Sequence, residues 1–121
     1  MRKIKFRAWD KENEKMMKVS SLHLENKEIS VKENGTFHLF RMQDLMQYTG
    51  LKDKNGKKIY EGDIVVLNNI ENDNMCIVRY EHSSYRLEGW SLRENLSNVE
   101  DSFLEVIGNI YENKNLLEEN R

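Results

Sequence analysis

Residues 45–65, LMQYTGLKDKNGKKIYEGDIV, contain two predicted turns and the strands that they connect. The Asn-Gly pair at 55–56 is typical of a tight turn, because both residues tolerate a positive φ. A second turn is predicted at 61–63, Glu-Gly-Asp, directly before the apolar run 64–67. A short apolar run that follows a turn is typical of a strand buried on both faces. The stretch therefore predicts short strands joined by tight turns.

Alternating residues extend this pattern toward the N-terminus. Residues 3–9, KIKFRAW, alternate basic and apolar side chains, which predicts a strand with one basic face and one apolar face. A second strand is expected around 18–22. Apolar residues on both sides of Asn34-Gly35 give the strongest short-range signal for a β-hairpin. Residues 41–49 fit either a helix that ends at Gly50 or a short strand over 46–48, and both alternatives stay open.

The C-terminal half predicts further strands. They are expected at 75–80, 85–90 and 103–111, with a bulge at Gly89 and an interruption at Gly108. Asn113 is expected to cap a short final helix. The predicted fold is mainly β (β-rich α+β): a small antiparallel, partly closed barrel or curled sheet with one or two short helices.

Composition narrows the class of protein. The chain has 121 residues, the size of one domain that can bury a core without disulfides or metal. It has one cysteine, Cys76, so an internal disulfide cannot form and nothing favours an oxidising compartment. Apolar runs such as 64–67 are far shorter than the roughly 20 residues of a membrane helix. The N-terminus lacks the continuous apolar segment of a signal peptide. We therefore expect a cytoplasmic protein.

Charge is unevenly distributed along the chain. Residues 1–60 carry 14 basic and 8 acidic residues, a net of +6, whereas residues 61–121 carry 5 and 13, a net of −8. The two halves could lie against each other within one domain, or could mediate contact between copies of the chain. A basic N-terminal face could instead meet nucleic acid, although the acidic half would repel the same phosphates.

Three blocks of sequence carry a resemblance to a known family. They are MRKIKFRAWD at 1–10, the central stretch 45–65 quoted above, and VIGNIYENKNLL at 106–117. In this order and spacing they resemble the YopX-like proteins of phages and prophages in low-GC Gram-positive bacteria. One departure is visible, since Lys114 stands where the family usually has proline. Proline would suit the first position of a helix.

The resemblance implies a phage or prophage origin and a location in the cytoplasm of the bacterial host. It also implies self-association of identical chains, with trimers among the assemblies, and no established catalytic activity. We expect one YopX-like domain over 1–121. It would comprise an N-terminal strand and hairpin region at 1–44, a central motif region at 45–66, barrel-like strands over 59–112 and a short helical tail at 113–121.

Residues that could carry chemistry lack the required spacing. The three histidines, His23, His38 and His82, are too far apart in sequence for a metal-ligand motif. Cys76 and His82 could form a nucleophile and base only across a strand and its turn. Glu61 and Asp63 could share a face of an extended chain and shift each other's pKa, but a structural turn is the favoured interpretation. We expect no enzymatic activity, no metal and no cofactor.

Basic residues form the candidate interaction surface. It combines Lys3, Lys5, Arg7 and Trp9 on the first strand with Lys52, Lys54, Lys57 and Lys58 around a turn, and Tyr48 and Tyr60 could add stacking surfaces. Other positions are assigned to structural turns, namely Asn34, Gly35, Asn55, Gly56, Gly62 and Asp63.

The sequence thus favours a non-enzymatic accessory protein. It would act as a small interaction module, through self-association or through a host or phage protein partner. The alternative is a nucleic-acid-binding module that uses the basic N-terminal face.

Overall fold

The computed structural model describes residues 4–72, 74–81, 83–89 and 93–119. Two compact units divide the chain, Lys3–Gln47 (unit one) and Tyr48–Arg121 (unit two), with the boundary inside one strand. The sequence predicts a single domain, and the division into two compact units does not test that prediction.

Unit one consists of antiparallel strands. Five of them lie entirely within it: β1 (Phe6–Asp10), β2 (Lys15–Lys18), β3 (Ser21–His23), β4 (Glu28–Glu33) and β5 (Thr36–Arg41). Strand β6 (Leu45–Lys52) begins there, and its first three residues pair with β1. Strand β1 also pairs with β2, and β4 lies between β3 and β5 in a separate three-stranded sheet. Ala8, Met17, Ile29 and Val31 form the buried core of this unit.

The turn between β4 and β5 is fixed by backbone conformation. Asn34 and Gly35 have φ of 51° and 83°, the left-handed values of a two-residue hairpin turn. Glu33 and Thr36 face each other across this turn, and the pairing continues to Glu28 and Arg41. The hairpin expected from the Asn-Gly pair is therefore present.

Unit two is built around a curled, half-barrel antiparallel sheet. Its strands are β8 (Asp63–Leu67), β9 (Met75–Glu81), β10 (Ser84–Gly89), β11 (Arg93–Asn95) and β12 (Leu104–Asn109), in the order β11-β10-β9-β8-β12. The short strand β7 (Lys58–Tyr60) pairs with β6. Two 3-10 turns, Leu96–Asn98 and Asp101–Phe103, precede β12, and helix α1 (Lys114–Glu119) follows it.

Apolar residues of this curled sheet form the core of unit two. Val65, Leu67, Cys76, Val78 and Leu87 are buried together, and Ile59, Leu96 and Leu104 complete the cluster. The mainly β fold with a curled sheet and a short helix, predicted from the sequence, is confirmed.

The open assignment at residues 41–49 is settled in favour of a strand. Met46 and Tyr48 are buried, whereas Leu45 and Gln47 between them are half-buried. This period of two belongs to a strand and not to a helix.

Two details of the sequence prediction were wrong. The strand expected over 18–22 is interrupted at Val19 and Ser20, because the Ser20 N–H turns to bond the Ser30 carbonyl oxygen at 2.8 Å. Gly89 forms no bulge, since β10 pairs with β9 in unbroken register up to Gly89. Asn113 directly precedes α1, and its Oδ1 accepts the Asn109 N–H at 3.1 Å, so its capping of the helix stays a prediction.

Residues 108–113 form a turn that is held by hydrogen bonds between the side chains of Asn109 and Asn113 and the backbone. The Asn109 N–H donates to Asn113 Oδ1 at 3.1 Å, and the Asn109 side-chain oxygen accepts the N–H groups of Tyr111 and Glu112. Gly108 leaves room for this arrangement, since a Cβ placed there would lie 2.6 Å from Asn113 Cγ. The register shift of β12 falls between Val106 and Gly108, where the sequence predicts an interruption.

We predict that Gly108→Ala lowers the free energy of unfolding by about 1–3 kcal/mol, because overpacking forces neighbouring groups to move. Chemical denaturation of the full chain measures it. In an Asn113→Gly background the same alanine should cost much less, because the colliding side chain is gone. Equal losses in the two backgrounds would contradict this explanation.

Candidate functional site

The N-terminal basic group is less open than the sequence predicts. Lys5 and Arg7 are half-buried, and Trp9 is only 8% exposed. A buried indole cannot offer a stacking face, so the proposed role of Trp9 in the interaction surface was wrong. Tyr48 is buried as well, which removes it as a stacking surface. Lys3 lies outside the described residues.

The second basic group stands on the turn between β6 and β7, residues 52–58, called here the lysine turn. Lys52, Lys54 and Lys57 are exposed and Lys58 is half-buried. Lys54 Nζ lies 3.3 Å from Glu105 Oε1 on β12. The lysine turn therefore belongs to unit two, the unit that also contains the acidic C-terminal half, and part of its charge is neutralised there.

Asp53 holds the lysine turn in place. Its Oδ1 accepts the N–H groups of Asn55 and Lys57, each at 2.9 Å, and its Oδ2 accepts the N–H of Val106 at 2.9 Å. The Lys54 N–H donates to the Leu104 carbonyl oxygen at 2.9 Å. One buried carboxylate thus shapes the turn and attaches it to the outer edge of β12. Gly56, with φ of 80°, completes the turn.

The environment of Asp53 sets its protonation. Burial alone raises the pKa of this carboxyl group, but the three backbone donors outweigh burial and hold the pKa below the ordinary 3.8. The group is therefore an anion at neutral pH, and the ionised form is the one that the turn needs. The sequence prediction missed this role, since the partner Val106 is 53 positions away.

Asp63 and Gly62 form another structural turn. Asp63 is buried and its Oδ2 accepts the Tyr60 N–H at 2.8 Å, while Gly62 has φ of 88°. The Gly62 N–H donates to the Val78 carbonyl oxygen, and the Gly62 oxygen accepts the Ile110 N–H. The Asp63 carboxylate thus bonds the backbone of β7, while the Gly62 backbone bonds β9, and both contacts support a structural turn and not a catalytic pair with Glu61.

The cysteine and histidines that the sequence offers as nucleophile, base or metal ligands lie in different environments. Cys76 is buried, and burial raises the pKa of its thiol to about 11, which keeps it protonated and unreactive at neutral pH. His82 lies outside the described residues. His23 and His38 are exposed on β3 and β5. In the part of the chain that the structure describes, no group of three or more His, Cys, Asp or Glu side chains could hold a metal ion.

An open cavity of about 360 Å³ lies in unit two. Leu67, Ile70, Val99 and Phe103 contribute its apolar lining, and Glu94 lies beside them. The Glu94 carboxylate accepts bonds from the Asn98 side chain and the Asn95 N–H, which lower its pKa. Glu94 Oε1 is thus engaged by neighbours in its own segment.

Two large apolar side chains on one face of β5 are exposed to solvent, a feature that the sequence prediction did not single out. Phe37 and Leu39 are 61% and 62% exposed, and Lys32 Nζ lies 5.6 Å from the centre of the Phe37 ring. Strand β5 is also an edge of its sheet. The sequence could not reveal which face is buried, because Phe37 and Leu39 on one face and Phe40 on the other are all apolar.

Comparison with known proteins assigns the family. A family model described as "YopX protein" matches residues 5–118, nearly the whole chain. The chain belongs to the YopX family. It is also similar to a solved structure, the crystal structure of protein EF1440 from Enterococcus faecalis, with 30% sequence identity and a TM-score of 0.67. That match covers 97% of this chain and 99% of the other. The search of curated proteins gives no match.

The fold adds one finding about membranes. None of the helices in the described ranges is long and apolar enough to span a bilayer.

We predict that Asp53→Asn lowers the free energy of unfolding by about 1–3 kcal/mol at neutral pH, because at least one backbone N–H loses its charged acceptor. Asp101→Asn is the matched control, since Asp101 is an exposed aspartate of the same unit. Urea denaturation of wild type and both variants measures the difference. An unchanged stability of Asp53→Asn would contradict the anchoring role.

The same pair predicts a pH dependence. The pKa of Asp53 is lower in the folded than in the unfolded chain, so its stabilisation is present above pH 3.8 and is lost as the pH falls through the folded-state value. The gap in stability between wild type and Asp53→Asn should therefore narrow below about pH 4. Parallel curves down to the lowest pH at which the wild type stays folded would show that ionisation of Asp53 is not involved.

Proposed function

We propose that this chain is a non-enzymatic accessory protein of a phage or prophage, a small interaction module that acts in the host cytoplasm through self-association or a protein partner. The observation that carries the proposal is strand β5, an edge strand with two large apolar side chains in solvent. Exposed apolar groups and an open strand edge are the features by which sheets bind other chains. The phage setting rests on the resemblance to YopX-like proteins.

The polar residues of the central motif support this proposal. Thr49, Asp53 and Asp63 are buried, and each side chain accepts or donates a bond to the backbone. Thr49 Oγ1, for example, donates to the Ile59 carbonyl oxygen at 2.7 Å. These side chains hydrogen-bond the chain's own backbone, so their role is to stabilise the fold.

Sedimentation velocity over a wide range of protein concentration tests the proposal, together with affinity capture from host cells that carry the phage. We predict a mass that rises with concentration, or a protein partner that binds saturably when purified. A chain that stays monomeric at every concentration and retains no protein would contradict the proposal.

A second candidate function, nucleic-acid binding, is favoured by the lysine turn. Lys52, Lys54 and Lys57 are exposed on a turn that Asp53 fixes, so their charges are presented together. The ion pair between Lys54 and Glu105 weakens this candidate, because the acidic partner reduces the local positive potential.

For this second candidate, Lys57→Glu should weaken binding to labelled DNA or RNA and should reduce the salt dependence by about one unit of slope. Lys18→Glu is the control, since Lys18 is an exposed lysine of unit one. Fluorescence anisotropy at low and near-physiological salt measures both. Absence of wild-type binding at low salt, or equal affinity of the two variants, would exclude the lysine turn as a nucleic-acid site.

A further inference from the structure

Strand β5 differs from every other sheet edge in the described residues. The edge strands β3, β7 and β11 are three residues long, and β2 carries Lys15 and Lys18. The outer edge of β12 is closed by the lysine turn, since Asp53 and Lys54 bond to Val106 and Leu104. Short length, lysines and a covering loop are the usual protections of an edge against pairing. β5 is six residues long and has none of these protections.

The backbone groups that β5 offers can be assigned from its register. The two-residue turn pairs Thr36 with Glu33, and the Met42 N–H donates to the Lys27 carbonyl oxygen at 2.8 Å. Even-numbered residues from 36 to 42 therefore direct their backbone groups toward β4. Because successive residues alternate in an antiparallel ladder, Phe37, Leu39 and Arg41 direct theirs outward, away from β4.

We propose that this outer edge of β5 pairs with β5 of a second copy of the chain, antiparallel across a twofold axis at Leu39. The proposal rests on the proposed function, since it names the surface and the partner of the interaction module. Each copy presents the same edge, so one symmetric contact satisfies both.

The side chains of β5 are complementary to themselves in this register. Leu39 lies opposite Leu39 of the second copy, and Phe37 lies opposite Arg41 of the second copy. The single charged residue of β5 thus lies opposite an uncharged aromatic ring and not opposite another arginine. On the other face of the strand His38 meets Phe40. The register places no like charges opposite each other, which is the main obstacle to pairing two identical strands.

The expected dimer is weak. Two strands of six residues bury far less than the roughly 1,600 Å² of a standard interface, which places this contact among transient ones. Pairing should therefore depend on concentration in the micromolar to millimolar range.

Opposite charges at Leu39 test the proposal directly. Leu39→Lys and Leu39→Glu should each weaken dimerisation about tenfold or more, because like charges then face each other across the axis. An equimolar mixture of the two variants should restore a dimer, since lysine now faces glutamate. Sedimentation velocity of each variant and of the mixture measures this. Leu24→Lys is the matched control, because Leu24 is 73% exposed in the same unit but lies outside β5.

Each result decides the proposal. Dimerisation of the wild type, its loss in both Leu39 variants and its return in the mixture would support it. A wild-type chain that stays monomeric, or that forms a trimer, would overturn it. A wild-type dimer that tolerates both substitutions would also overturn it, while the proposed function would stand with its surface elsewhere. A monomer whose β5 binds a different protein would overturn the second copy as partner and leave the interaction module intact.

Discussion

The buried carboxylate of Asp53 is the interaction on which the rest of unit two depends. It accepts three backbone N–H groups, two from its own turn and one from Val106 on β12. Without that anion the turn would lose its shape, and the outer edge of β12 would lose its cover. A charged acceptor is suited to this role, because hydrogen bonds to ions are roughly twice as strong as those between neutral groups.

Other polar side chains of unit two also bond the chain's own backbone. Asp63 fixes the entry into β8, and Asn109 and Asn113 close the segment after β12. Buried polar groups in folded proteins are almost always hydrogen-bonded, and these side chains meet that requirement by bonding backbone N–H groups that hold the turns in shape. Unit one uses the same device, since the buried Asp10 carboxylate accepts the N–H groups of Glu12 and Asn13 after β1. Unit one also contains the edge strand β5, which leaves two large apolar side chains exposed to solvent.

Much of the fold could be predicted from local sequence signals. Asn34-Gly35 requires left-handed conformations at two successive positions, so the hairpin follows from the dipeptide itself. The alternation in 45–48 also fits a strand, but the sequence pattern alone fits a helical face over the same residues as well. Turn positions and strand periods are local properties, which is why a single sequence carries them.

The features that sequence could not supply depend on distant contacts. The bond between Asp53 and Val106 joins residues far apart in the chain, and no local pattern records it. The alternation predicted for residues 3–9 is only partly correct, since Ile4, which precedes β1, is 72% exposed while Trp9 on β1 is buried. The open edge of β5 depends on the order of strands in the sheet. The sequence of β5 cannot reveal it, because the same residues could also form an interior strand.

Amide hydrogen exchange on the wild-type chain at low and high protein concentration reports directly on whether β5 pairs with a second copy. The N–H groups of His38 and Phe40 face β4 and should be protected at both concentrations. Those of Phe37, Leu39 and Arg41 should exchange fast in dilute solution and become protected as the concentration rises. Exchange at Phe37, Leu39 and Arg41 that is equally fast at every concentration would contradict the account.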